Sequence, residues 1–174
     1  MKNYETKQIG VSLAIIALLV AGAMRSSVYA QDKDSSDSVS MDQSANRIVG
    51  ALETAVTPVN CNTGAQVAPT FYGVITFNEG GTVAEFGANP ATPYRTPGHG
   101  IWSSAGGHGG YTFKFSFLPL TPAGAPIGRM RVSQIAEFPR FSDESTSYGS
   151  FVLSNLAGTV LASGCSTGTS VRVS

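Results

Sequence analysis

From Arg47 onward apolar and polar residues alternate with a period of two, and the alternation breaks at turn-forming residues every eight to twelve positions. This is the pattern of short strands in an all-β sandwich or barrel. Ile48 to Val59 reads as the first strand, halted by Pro58 and the Asn60-Cys61-Asn62 turn. Phe71 to Phe77 follows, with Phe71, Ile75 and Phe77 on one face and Tyr72 and Thr76 on the other. Asn78-Glu79-Gly80-Gly81 supplies a tight hairpin into a return strand over Thr82 to Phe86, because asparagine and glycine reach positive φ at little cost.

The next segment, Gly87 to Gly100, holds three prolines together with Tyr94, Arg95 and His99, and reads as a long loop. Long ordered loops concentrate function. A short strand over Ile101 to Ser104 then leads through Ala105 to Gly110 into the clearest strand, Tyr111 to Leu118. There Tyr111, Phe113, Phe115 and Phe117 share one face, opposite Thr112, Lys114 and Ser116, so one face is predicted to be buried. Ile127 to Phe138 gives a long strand with Met130, Val132, Ala136 and Phe138 on one side. Tyr148 to Leu156 and Val160 to Val173 form the last hairpin, with a glycine-rich bend at Gly164 to Gly168 expected to interrupt its second arm.

About eight strands with short connections and no helical pattern after residue 30 predict a single up-and-down antiparallel barrel over 47–174. Closure removes the exposed edges that an open sheet would have to protect. A barrel of eight strands holds either its own side chains or one small ligand.

The chain before the barrel is of a different kind. Lys2 and Lys7 flank a basic start, Ile9 to Met24 is apolar, and Val28-Tyr29-Ala30 offers small residues for cleavage, so 1–30 reads as a signal peptide cut after Ala30. Ala21-Gly22-Ala23 is a second possible cut, and a retained membrane helix is the competing reading. No cysteine follows the apolar run to carry a lipid. Residues 31–46 are acidic and serine-rich with little to bury, as in a solvated linker.

Charge narrows the function classes. The 174 residues carry 11 basic and 11 acidic side chains. Without residues 1–30, which hold Lys2, Lys7, Arg25 and Glu5, eight basic and ten acidic remain, a formal charge of −2. No clustered basic face beyond Arg129 and Arg131 is available for nucleic acid. Cys61 and Cys165 lie near the two ends of the folded part. In an oxidising compartment such a pair reads as a disulfide, and closure of the barrel would bring the first and last strands together. A two-cysteine metal site lacks the close-spaced second pair of a zinc centre.

Candidate chemistry is sparse. No Gly-x-Ser-x-Gly elbow, phosphate-binding loop, paired-histidine metal motif or cofactor motif is present. Asp143-Glu144 is a loop charge pair, unlike the separated carboxylates of a glycosidase. His99 and His108 lack the further ligands that a metal needs. What remains is Tyr94, Arg95, His99 and Trp102 as a ligand-binding rim at the barrel mouth, where Arg95 could meet an acidic head group and His99 could move a proton. The residues favour instead His99 as part of a tight turn shaped by Pro97, Gly98 and Gly100, and Trp102 as barrel packing.

Several elements resemble a family of uncharacterised, exported bacterial proteins with a lipocalin-like (calycin-like) barrel. They are Gly50-x-Leu52, Thr57-Pro58-Val59-Asn60-Cys61, Pro97-Gly98-His99-Gly100-x-Trp102 and Gly164-Cys165, within a span of about residues 50 to 172. The resemblance implies the barrel and the exported compartment, and a late arginine, Arg172, set near Gly50-Ala51-Leu52. The function expected is the binding of a small apolar or amphipathic ligand, with no membrane span in the mature chain. Two alternatives stay open: an isomerase or cyclase using His99 as acid or base, and a structural envelope protein with a filled barrel.

Overall fold

In the computed structural model, which describes residues 47–106, 109–139 and 141–174, eight strands form one closed barrel. The expected signal peptide and linker, and His108, lie outside the described residues. The strands are β1 (Gly50–Val59), β2 (Phe71–Asn78), β3 (Thr82–Gly87), β4 (Gly98–Ser104), β5 (Gly110–Phe117), β6 (Arg129–Glu137), β7 (Glu144–Ser154) and β8 (Val160–Arg172). Each pairs antiparallel with its neighbour in sequence, and β8 closes on β1 from Leu52 opposite Arg172 to Val59 opposite Cys165. This is the up-and-down barrel that the periodicity predicts. The seam is stapled as expected: Cys61 and Cys165 are bonded, with Cα atoms 5.2 Å apart.

Two strand predictions need correction. Strand β4 begins at Gly98 and not at Ile101, so Gly98-His99-Gly100 is sheet and not turn. Strand β8 runs unbroken through Gly164 to Gly168. In both places the inward positions are glycine or serine, which register on no hydrophobic pattern although the backbone ladder is intact. Gly100 faces Phe115 across the β4–β5 ladder so closely that an added Cβ would lie 1.8 Å from the Lys114 carbonyl oxygen.

The barrel is plugged at one end. Phe77 sits edge-on to both Trp102 and Phe113, and Tyr111 sits edge-on to Trp102 and Phe138, an arrangement that aromatic quadrupoles favour. Ile48 and Leu52, 0% and 1% exposed, complete this core. The Arg172 guanidinium donates to the carbonyl oxygens of Val49 (2.7 Å) and Arg47 (2.5 Å), tying the entering chain across the bottom. Arg172 thus stands opposite Leu52 and spends its hydrogen bonds on backbone.

Candidate functional site

The opposite end is open. A cavity of about 740 Å³ runs from Ala136 and Phe138 above the plug to a rim made by Val67 to Pro69 of the β1–β2 loop and Asn89 to Thr92 of the β3–β4 loop. Its existence follows from how bulk is distributed round the barrel. On β5 the inward positions are Phe113, Phe115 and Phe117, and Phe71 and Phe77 continue that wall on β2. On the far side, toward the plugged end, the inward positions shrink to Ser145, Ser147 and Gly149 on β7 and to Ser166, Gly168 and Ser170 on β8, while Phe151 and Leu153 of β7 line the cavity nearer the rim. In the inner half of the barrel the large side chains of one wall face small ones on the other, and the side chains leave the lumen unfilled there.

Among the described residues two charged side chains line the cavity, Glu85 from β3 and Arg95 from the β3–β4 loop, and they pair with each other. Side-chain exposure is 4% for Arg95 and 12% for Glu85, so this is a buried ion pair. Arg95 also lies over the Phe117 ring, 3.6 Å from its centroid, and donates from Nε to Thr96 O at 3.2 Å. Burial pushes the Glu85 carboxyl above its ordinary value, with Arg95 opposing through its hydrogen bond and its charge. The loop that delivers Arg95 is fixed to the β5–β6 connection by Leu120 N donating to Tyr94 O (2.8 Å) and Thr96 N donating to Leu118 O (3.0 Å).

The function of the two glycines in Pro97-Gly98-His99-Gly100 is now visible. Both point into the barrel, and a Cβ on Gly98 would lie 2.7 Å from Glu85 Oε2 and 2.9 Å from the Phe115 ring. Gly98 clears the space that the carboxylate and the ring occupy, and Gly100 clears the close approach of the β5 backbone. Gly100→Ala is expected to destabilise the barrel by roughly 2–3 kcal/mol, since β4 and β5 must part to admit the methyl group. A chemical melt would measure it, and a loss below about 0.5 kcal/mol would contradict the close approach.

The four rim residues singled out by sequence do not form one cluster. Arg95 alone of them lines the lumen. His99 is exposed on the outer face of β4, between Ala84 and Ser116, so an acid–base role inside the barrel has no geometry there. Trp102 belongs to the plug, its Nε1 donating to Asn78 O at 2.9 Å. Tyr94 is 51% exposed and outside the lumen lining.

Two lining residues carry polar chemistry that the periodicity does not single out, Glu85 and Gln134. Gln134 from β6 is 7% exposed, and its Nε2 donates to Ser166 Oγ at 2.9 Å. Gln134 and Ser166 stand on either side of β7, and the residue between them is Gly149, which has no side chain to block the bond. Nearby, Thr54 and Ser170 share a hydroxyl–hydroxyl bond of 2.9 Å. Among the described residues no three His, Cys, Asp or Glu side chains converge as metal ligands. No family model matches the chain, and neither a curated protein nor a solved structure matches it.

Proposed function

We propose that this chain is an exported carrier or receptor barrel, secreted or periplasmic, that holds one small, neutral, largely apolar molecule. The open lumen carries the proposal. A cavity of about 740 Å³ lies within the range of about 300–1,000 Å³ usual for small-molecule sites, and an aromatic lining with few polar groups is their common composition. The exposed rim residues Val67, Pro69, Pro90 and Ala91 make an apolar entrance.

Neutrality follows from charge accounting. Glu85 and Arg95 satisfy each other, leaving no spare charge in the lumen for an ionised ligand, and an unpaired buried charge is costly. The reading of Arg95 as a receptor for an acidic head group therefore gives way to one in which its charge is already used. The outer faces of the strands carry Glu53, Lys114, Arg129, Arg131 and Glu137 among exposed apolar side chains such as Tyr72, Phe86, Ile101 and Ile135. The disulfide accords with an oxidising compartment. An open lumen also favours this reading over a filled structural barrel.

Val132 lines the cavity half-buried on β6. Val132→Trp fills the lumen from within, and is expected to weaken binding of neutral lipophilic probes about tenfold or more (a loss of about 1.4 kcal/mol) while the barrel stays folded by circular dichroism. Isothermal titration and native mass spectrometry against a panel of neutral aromatic and aliphatic compounds would measure this. A wild-type protein that binds none of them, or that binds them no better than Val132→Trp, would remove the proposal.

A further inference from the structure

We infer that Gln134 is the specificity-determining contact of the lumen, its amide receiving a hydroxyl group of a neutral ligand whose apolar body lies against Phe113 and Phe115. The inference rests on the ligand-binding reading above and names what that ligand must carry. Gln134 lines the cavity, and its Oε1 is buried with no hydrogen-bond partner among the described residues. Its other end is held by Ser166. A buried acceptor without a partner costs free energy, and the cavity that Gln134 lines is a space from which a partner can come once the amide turns toward it.

The chemistry of that partner is constrained from several sides. A hydrocarbon would cover Oε1 and leave it desolvated. A carboxylate cannot donate to Oε1, and it would enter a lumen whose one guanidinium among the described residues is already paired with Glu85. An ammonium group would find no free anion for the same reason. A hydroxyl donates to Oε1 and brings no net charge, and because it also accepts, it suits either end of the amide. Phe113 stands directly opposite Gln134 across the β5–β6 ladder, and the Phe113 and Phe115 rings stack at 6.3 Å with planes 6° apart. Together they offer apolar surface beside the polar contact, which suits a ligand with an apolar body and a hydroxyl group.

The test uses two probes of nearly equal shape, 4-phenylphenol and 4-methylbiphenyl, titrated calorimetrically into the full, disulfide-bonded chain. The readout is the ratio of the methyl compound's Kd to the phenol's, which cancels their different intrinsic hydrophobicities between variants. Gln134→Met keeps length and removes both polar atoms, and is expected to lower that ratio about fivefold to tenfold. Gln134→Leu serves as a second variant with different packing, and the same fall is expected. Ratios unchanged within about twofold in both variants, with both probes still bound, would overturn the hydroxyl contact and leave the ligand-binding reading intact. If the wild-type protein binds neither probe while binding other lipophiles, the hydroxyl inference fails alone. Failure of every lipophile overturns both.

Discussion

Replacing both cysteines, Cys61→Ala with Cys165→Ala, is expected to lower the unfolding free energy by about 4 kcal/mol and the melting temperature by roughly 15 °C. The bond joins residues 104 apart in sequence. Cutting it restores to the unfolded chain nearly all the freedom of a loop that spans the barrel, worth about 4.7 kcal/mol in the chain-entropy model for 100 residues. The native geometry loses little, because the Asn60 turn is held without it. Asn60 Oδ1 accepts from the backbone of Asn62 (2.9 Å) and Thr63 (3.1 Å), and Asn60 N donates to Ala65 O at 2.8 Å. The ladder from Leu52–Arg172 to Val59–Cys165 also persists. The double variant should therefore fold to the same barrel, with the same strand content but a lower melting point. Thermal and urea melts of wild type, reduced wild type and double variant would check it. A shift below about 1 kcal/mol would show that the unfolded chain was not being constrained.

The closed barrel and its seam were legible because they rest on strong local signals. Tyr111, Phe113, Phe115 and Phe117 alternate with polar residues without interruption, and all four point inward. Glycine and serine carry no such signal. The inward positions Gly98 and Gly100, and Ser166, Gly168 and Ser170, look like turn or bend residues in a sequence, yet in the sheet they are where bulk has been withheld. A period-two run of small residues opposite a period-two run of aromatics was the available trace of the cavity, and it only gains meaning once the two strands are known to face each other. Glu85 was harder still. Strand β3 turns Glu85 inward and leaves Phe86 60% exposed, the reverse of what hydropathy favours. Arg95, ten residues later in an irregular loop, makes that arrangement tolerable, and no spacing rule connects the two. Gly98 supplies the room, so the Pro97-Gly98-His99-Gly100 motif was a pointer to the site whose meaning lay in its glycines.

Arg95→Met is expected to cost about 3–5 kcal/mol at neutral pH, the penalty typical of breaking a buried ion pair from one side. The two partners should not respond alike to pH. Glu85→Gln keeps an oxygen to accept from Arg95 but leaves a buried guanidinium that cannot shed its proton without a countercharge, so its cost is expected to be of the same order, about 3–5 kcal/mol, and to vary little with pH. Arg95→Met instead leaves a carboxylate in an aromatic cavity with its hydrogen bond and its countercharge both gone. Those are the two influences that lower the Glu85 pKa, and without them desolvation acts alone and raises it further above 4.5. A carboxyl whose folded pKa lies above its unfolded value binds its proton more tightly in the native state, so stability is greatest below the unfolded pKa and is lost as pH rises through the folded one. The difference between wild type and Arg95→Met should therefore shrink as pH falls from neutrality toward about 4.5. The double variant Arg95→Met with Glu85→Leu removes both charges and is expected to recover most of the loss, with the pH dependence of the difference abolished. Urea melts across this pH range separate the outcomes: a difference that grows in acid, or a double variant no better than Arg95→Met, would show that the pair is not what holds charge in this lumen.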